Sequence, residues 1–205
     1  MFTSLDNTGS ECDLYSLARR VKRDRNAAQR LLEGRTFCCK FCDRRTFAIL
    51  GRRRVWHFRH EPNGECSYVS GDKESHDHLF VKHVVCQRAL RTFPGAVVSF
   101  EKRIEVGDRF RVADVAVEYK GVTCVYEIQL SPLDVDELER RTIDYDDLGF
   151  EIRWVFQEWK DERSTPQWQR VAESWLQRNC FDVYFVKPIP VSELKLLETF
   201  TESVF

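Results

Sequence analysis

The stretch FRVADVAVEYKGVTCVYEIQL, residues 110–130, alternates apolar and polar side chains on both sides of Lys120-Gly121. Such alternation predicts two strands, and the Lys-Gly dipeptide predicts the turn that joins them as an antiparallel hairpin. With the turn centred on this dipeptide, residues whose numbers add to 241 face each other, so Asp114 lies opposite Glu127. Glu127 and Gln129 share one face because side chains alternate along a strand.

Two carboxylates on facing strands of an apolar hairpin repel each other, since cross-strand Cβ atoms lie only about 4.5–5.5 Å apart. A shared proton or a bound cation offsets that repulsion. Mg²⁺ binds through one or two carboxylates together with substrate phosphate oxygens, so the Asp114/Glu127 pair suits metal-assisted phosphodiester hydrolysis. The pair alone is also compatible with a structural carboxylate pair on a solvated sheet edge.

The segments around the hairpin predict an α/β protein with a mixed sheet. Asp72 is a candidate N-cap for the helix that precedes the strands, and Gly149 is a candidate stop for the helix that follows them. From residue 73 to 156 the predicted order is αβββαβ. The predicted helices are 11–33, 73–91, 133–148, 167–179 and 192–200, and the predicted strands are 97–106, 110–119, 122–130, 150–156 and 181–186.

The spacing of the carboxylates resembles the PD-(D/E)xK nuclease signature, with Asp114 followed thirteen residues later by Glu127-Ile128-Gln129. The sequence is most similar to one branch, the competence protein CoiA-like family. That resemblance spans residues 36–156. It is carried by Arg111-Val112-Ala113-Asp114-Val115, Tyr126-Glu127-Ile128-Gln129-Leu130-Ser131, Arg141, Tyr145, Gly149 and Trp154.

The resemblance implies a restriction-endonuclease-like fold that binds Mg²⁺ or Mn²⁺ and cuts DNA. It makes Asp114 and Glu127 metal ligands, with help from the Ile128 backbone carbonyl. Gln129 stands where the superfamily usually has a lysine. A glutamine can orient a water molecule but cannot supply positive charge to the transition state, so that charge is expected from Lys82 or Arg141.

Glu74, His78 and Lys82 follow one another at intervals of four residues, which places them on one face of the predicted helix 73–91. The family resemblance implies that Glu74 is a third carboxylate near the metal and that His78 and Lys82 contact phosphate or position a water molecule. A solvated polar helix face is the alternative. Arg141 and Tyr145 share a face of helix 133–148 in the same way. The family resemblance favours a role beside the active site, in contact with DNA. The alternative is that they pack the helix on the sheet, with a surface ion pair to Glu137.

Residues 36–69 hold a cysteine and histidine cluster that predicts a structural Zn²⁺ site. The best four ligands are Cys39, Cys42, His60 and Cys66, because a CxxC pair and a later pair complete a tetrahedral site. His57 could take the place of His60. Four protein ligands would close the site and leave zinc a folding role, which disfavours a zinc hydrolase. The cluster is also compatible with a descendant that has lost its zinc, or with reduced cysteines on the surface.

The net charge of −1 hides an uneven distribution, since residues 19–54 contain thirteen Lys or Arg against three acids. A basic N-terminal third suits a polyanionic partner, here DNA. A solvated helix face followed by a charged loop is the alternative. We predict a zinc-finger-like module with a helix at residues 1–70 and a nuclease domain at residues 71–205. The sequence shows neither an apolar leader nor a stretch long enough to span a membrane. We therefore expect a cytoplasmic protein that has no membrane partner.

The sequence therefore predicts a divalent-metal-dependent deoxyribonuclease that acts in DNA processing. The competing hypothesis is a non-catalytic DNA-binding or partner-recruiting subunit that keeps the nuclease fold. A homo-oligomer or a complex with a partner protein in DNA processing or defence is compatible with either hypothesis.

Overall fold

A computed structural model of the chain describes residues 3–51, 56–61 and 76–187. The chain divides into two compact units, residues 1–80 and 81–205. The domain boundary predicted after residue 70 lies outside the described residues. Within the described ranges, no helix is both long enough and apolar enough to cross a membrane.

The first unit contains a five-stranded antiparallel sheet with two short helices. The strand order is β2-β1-β3-β4-β5. Leu14, Ala28, Trp56 and Phe58 are buried in its core. Its elements are β1 (Thr3–Asp6), β2 (Glu11–Asp13), α1 (Leu14–Arg20), α2 (Arg25–Leu32), β3 (Phe37–Cys38), β4 (Arg45–Ile49) and β5 (His57–His60).

The single helix predicted over residues 11–33 is wrong, because this segment forms β2, α1 and α2. Lys22 and Arg23 both adopt positive φ angles, 48° and 57°, which a right-handed helix cannot contain. Asp24 then caps α2 by accepting hydrogen bonds from the backbone N–H groups of Asn26 and Ala27. The leucine spacing predicted helix correctly, but it gave no signal for the break.

The second unit contains a five-stranded mixed sheet with strand order β10-β9-β8-β7-β6. Strands β6, β7 and β8 pair antiparallel, whereas β9 and β10 add to β8 in parallel. The predicted order αβββαβ is confirmed, and the predicted helix 192–200 lies outside the described residues. The elements are α3 (His76–Thr92, which begins in the first unit), β6 (Val97–Val106), β7 (Arg109–Tyr119), β8 (Val122–Gln129), α4 (Val135–Asp146), β9 (Glu151–Gln157), α5 (Gln167–Arg178) and β10 (Asp182–Val186).

The two faces of the mixed sheet bury separate apolar clusters. Cys124 and Ile128 of β8 pack with the cluster that includes Val85 of α3, whereas Val125 packs with Leu138 of α4. Because successive side chains of a strand point to opposite faces, Glu127 lies on the same face as Val125. The alternation of β8 therefore directs Glu127 toward α4.

Candidate active site

The predicted hairpin register is confirmed by the pairs that β7 and β8 form. Val115 pairs with Tyr126 and Val117 with Cys124, and the numbers in each pair add to 241. Asp114 and Glu127 are the next residues along the two strands, and both are buried, with 7% and 2% of their surface exposed. The Ile128 backbone N–H donates to Asp114 Oδ2 at 2.9 Å.

Two cationic side chains accompany the buried carboxylates. Lys82 Nζ lies 2.9 Å from Asp114 Oδ1, and Lys82 is 1% exposed. Arg141 Nη1 lies 3.3 Å from Glu127 Oε2. Both side chains that the sequence singled out as sources of positive charge therefore lie beside the predicted metal ligands.

Glu101 of β6 is a third acidic residue at this place, which was not among the residues predicted from the sequence. Its side chain is 1% exposed, and its Oε1 lies 3.6 Å from Lys82 Nζ. The β6–β7 register pairs Phe100 with Val115 and Lys102 with Ala113, so Glu101 falls between two paired positions. Its φ of 50° is unusual for a residue within a strand.

The sequence carried no clear signal for the burial of Glu101. In β6, Glu101 alternates with the apolar residues Phe100 and Ile104 in the way that a solvent-facing polar residue would. The left-handed backbone conformation at Glu101 interrupts that alternation. A period-two pattern cannot reveal such a local change.

Helix α4 supplies hydrogen bonds that hold Glu127. Tyr145 is completely buried, and its hydroxyl donates to Glu127 Oε1 at 2.7 Å. Arg141 reaches Glu127 Oε2 while its Nε donates to Glu137 Oε1 at 2.9 Å. The proposed site contact and the alternative ion pair of Arg141 with Glu137 therefore coexist, and the nucleic-acid contacts predicted for Arg141 and Tyr145 stay predictions.

A chain of ion pairs extends from Glu137 away from the carboxylates. Arg111 Nη1 donates to Glu137 Oε1 at 2.8 Å, and Arg111 Nε donates to Asp144 Oδ2 at 2.6 Å. Arg109 also pairs with Asp144. These contacts tie β7 to α4, so Arg141 is held by a network and not by Glu127 alone.

The electrostatics of the site follow from burial and charge. Burial, followed by the charge on Asp114, raises the pKa of Glu127 to about 7, although Arg141, Tyr145 and Lys82 lower it. Burial also raises the pKa of Glu137, but hydrogen bonds from Arg141 and Arg140 outweigh it and bring that pKa down to about 2. The charged form of Glu127 is thus disfavoured in the folded protein.

The donor set suits a hard divalent cation. Glu101, Asp114 and Glu127 face the cations Lys82 and Arg141, and these five side chains carry a net charge of −1 when all are ionised. The raised pKa of Glu127 reports the burial and the excess of negative charge, which an added cation would relieve. Carboxylate and carbonyl oxygens are the ligands that Mg²⁺ and Mn²⁺ prefer.

The remaining predicted site residues are only partly located. Gln129 donates through Nε2 to the Ser131 carbonyl at 2.7 Å, so its amide turns toward the loop after β8. His78 lies in α3 and is half-buried. Glu74 lies outside the described residues. The catalytic roles of Gln129 and Glu74 and the phosphate contacts of His78 and Lys82 stay predictions.

The first unit brings together three of the four predicted zinc ligands. The ligand atoms of Cys39, Cys42 and His60 all lie within 4.8 Å of one another, and Cys42 Sγ is 3.5 Å from His60 Nε2. His57 of β5, which pairs with Ile49 of β4, does not belong to this group. Cys66 lies outside the described residues.

The turn between β3 and β4 explains why the two thiols meet. The Asp43 N–H donates to the Cys39 carbonyl at 2.9 Å, and the Cys39 N–H donates to the Arg44 carbonyl at 2.8 Å. The Phe41 N–H also points to Cys39 Sγ at 3.5 Å. This folded turn gathers Cys39 and Cys42, and His60 approaches from β5. The three side chains could bind a metal ion.

Comparison with known proteins identifies one family. The nuclease-like domain of the competence protein CoiA matches residues 74–198, more than half of the chain. No curated protein matches the sequence.

Several solved structures are similar to part of the chain at low identity. The protein of unknown function AF1548 is 16% identical with a TM-score of 0.39, over 53% of this chain and 58% of its own. EndoMS, solved with double-stranded DNA, is 18% identical with a TM-score of 0.35, over 66% of this chain and 52% of its own. SfsA from Pyrococcus furiosus, solved with Ca²⁺, is 13% identical with a TM-score of 0.35, over 76% of this chain and 78% of its own. Scores this low say nothing about function, and the chain spans little more than half of AF1548.

Proposed function

Because this chain belongs to the family of the competence protein CoiA nuclease-like domain, we propose that it is a divalent-metal-dependent DNA nuclease. The observation that carries the proposal is the burial of Asp114 and Glu127 on neighbouring strands, near enough for the charge on Asp114 to raise the pKa of Glu127, with Lys82 and Arg141 as their cationic neighbours. Burying two like charges is costly. A functional site is a reason to keep such an arrangement.

Asp114, Glu127 and the Ile128 carbonyl would hold Mg²⁺ or Mn²⁺. The bound ion would polarise a phosphoryl oxygen and lower the pKa of an attacking water molecule. Tyr145 and Arg141 hold the two oxygens of Glu127 in place. They preorganise this ligand, because a side chain with both oxygens hydrogen-bonded has little freedom to rotate.

Lys82 would supply the positive charge of the lysine that the superfamily usually has at the position of Gln129. Its ammonium group lies 2.9 Å from Asp114 and 3.6 Å from Glu101, so it is fixed between two carboxylates. From this position it can stabilise negative charge that develops on a phosphate next to Asp114. Glu101 would act as a positioning residue for Lys82, and Gln129 would orient a water molecule.

The substrate that we propose is DNA. His78, Lys82, Arg141 and Tyr145 are the predicted nucleic-acid contacts. Because Tyr145 is completely buried against Glu127, it would act by holding that ligand, and contacts with DNA would come from the other three residues. The basic first unit would add contacts with the phosphate backbone. Cys39, Cys42, His60 and Cys66 would hold a structural Zn²⁺ there. Reduced thiols of this kind fit a cytoplasmic protein.

The test is cleavage of linear and circular DNA, single- and double-stranded, with added Mg²⁺ or Mn²⁺. We expect cleavage by the natural protein and by Asp108→Ala, a control that removes an exposed acid from the β6–β7 turn. We expect none by Asp114→Ala. Intact DNA binding without cleavage by any of the three proteins would refute the nuclease and favour the non-catalytic subunit. Cleavage that persists in Asp114→Ala and is lost in folded Cys39→Ser would place the chemistry at the zinc site.

A further inference from the structure

A cavity of about 280 Å³ opens on the first unit between α2, β3 and β4. Its size is near the lower end of small-molecule sites, which run from about 300 to 1,000 Å³. It is distinct from the carboxylate site, which belongs to the second unit. The lining of the cavity is partly apolar and partly cationic. The apolar lining is Leu32, Phe37, Phe47, Ala48 and Leu50, and the polar lining is Arg25, Gln29, Arg35, Arg45, Thr36 and Thr46.

The cationic side carries charge that acidic side chains only partly compensate. Arg35 is paired with Asp6. Arg25 and Arg45 are exposed, and within the described ranges neither forms an ion pair with an acid. Two guanidinium groups at the mouth of one cavity therefore offer hydrogen-bond donors to an anion, and guanidinium matches the geometry of phosphate.

Two phenylalanines line the cavity, and an arginine lies over each ring. The Arg45 guanidinium lies 5.1 Å from the centre of the Phe47 ring, and the Arg35 guanidinium lies 5.4 Å from that of Phe37. Planar guanidinium groups and aromatic rings are the surfaces on which proteins stack unpaired bases. Duplex bases stack on one another inside the helix, so a concave site of this size suits a single-stranded nucleotide.

We propose that this cavity is a binding site for a nucleotide of single-stranded nucleic acid, with Arg25 and Arg45 on its phosphates and Phe47 against its base. The choice of nucleic acid as ligand rests on the proposed function. The location of the site rests on the cavity and its arginines alone.

The test measures how tightly the full chain carrying Asp114→Ala binds a fluorescein-labelled single-stranded thymidine 20-mer. Binding is measured by fluorescence anisotropy without added Mg²⁺ or Mn²⁺. In that background, Arg25→Ala/Arg45→Ala should weaken binding at least about tenfold, because hydrogen bonds between charged partners are strong. The salt slope of log K should fall by about 1.4, since each contact with single strands contributes about 0.7. The matched control is Arg20→Ala/Arg30→Ala, which removes two exposed arginines of the same unit that do not line the cavity.

Equal weakening by both double variants would overturn the proposal, because the arginines would then act only through net charge. Unchanged binding in Arg25→Ala/Arg45→Ala would overturn it as well. The proposal would also be overturned if this variant lost as much affinity for a blunt-ended duplex of the same length as for the single strand. These outcomes do not depend on cleavage. If Arg25→Ala/Arg45→Ala does not specifically weaken single-strand binding while Asp114-dependent cleavage is observed, only this site is refuted. If the variant does weaken binding but the natural protein cleaves no DNA, only the nuclease proposal is refuted.

Discussion

Replacing Glu127 by glutamine should change how the stability of the metal-free protein depends on pH. Below pH 4.5 the Glu127 carboxyl is protonated in both the folded and the unfolded chain. Between pH 4.5 and about 7 only the folded chain keeps the proton, because its pKa is raised to about 7. Stability contributed by this group is therefore lost as the pH rises through that window.

The magnitude follows from the difference between the two pKa values. A change from 4.5 to about 7 corresponds to about 3 kcal/mol at 1.36 kcal/mol per pH unit. Glutamine keeps the size of the side chain and carries no charge, so Glu127→Gln should avoid this loss. The free energy of unfolding of Glu127→Gln minus that of the natural protein should rise by about 3 kcal/mol between pH 4 and pH 8.5.

The assay is urea unfolding at a series of pH values without added divalent metal, followed by near-ultraviolet circular dichroism. Glu105→Gln, a substitution of an exposed glutamate on β6, is the matched control and should show no such divergence. Adding Mg²⁺ at pH 7.5 should stabilise the natural protein more than Glu127→Gln, since a cation favours the ionised carboxylate. Parallel pH profiles for the natural protein and Glu127→Gln would refute the reasoning.

Three further changes test the rest of the site. Lys82→Met should abolish cleavage and destabilise the second unit by about 3–5 kcal/mol in urea unfolding, because it leaves buried carboxylates without their cation; full activity in folded Lys82→Met would contradict the role of Lys82. Glu101→Gln should lower the cleavage rate at least about tenfold with the fold retained by circular dichroism, whereas Glu105→Gln should cleave normally; equal rates would make Glu101 purely structural. Cys39→Ser should lose bound zinc, measured by atomic absorption, and unfold the first unit at a lower urea concentration; a natural protein that contains no zinc would refute that site.

The sequence predicted the second unit well because its signals are local and periodic. The alternation on both sides of Lys120-Gly121 fixed the hairpin register, and the position of Glu127 followed from it. The stop predicted at Gly149 is also confirmed, since its φ of 72° is the left-handed conformation that ends many helices. Strand order within the sheet, by contrast, needed the structure, because it depends on pairings between distant segments.

The sequence failed where a residue departs from the pattern of its neighbours. Glu101 looked solvent-exposed because burial through an irregular backbone angle leaves no trace in periodicity. The first unit was misread for a similar reason, since Lys22 and Arg23 break a segment whose leucines fit one helix. Its sheet also escaped prediction, because strands as short as β3 contain too few residues to show alternation.

Arg141 and Tyr145 reach Glu127 from positions four residues apart on α4, so both contacts depend on the helical phase of α4. Asp134 fixes where that helix begins, because its side chain caps the helix by accepting a hydrogen bond from the Asp136 backbone N–H. One residue inserted between Asp134 and Arg141 would turn the two side chains by about 100° around the helix axis relative to the cap. Substitutions on the outer surface of α4 leave this phase unchanged, whereas a one-residue insertion would remove both partners of Glu127 together. The number of residues in the first turns of α4 is therefore under a tighter constraint than their identity.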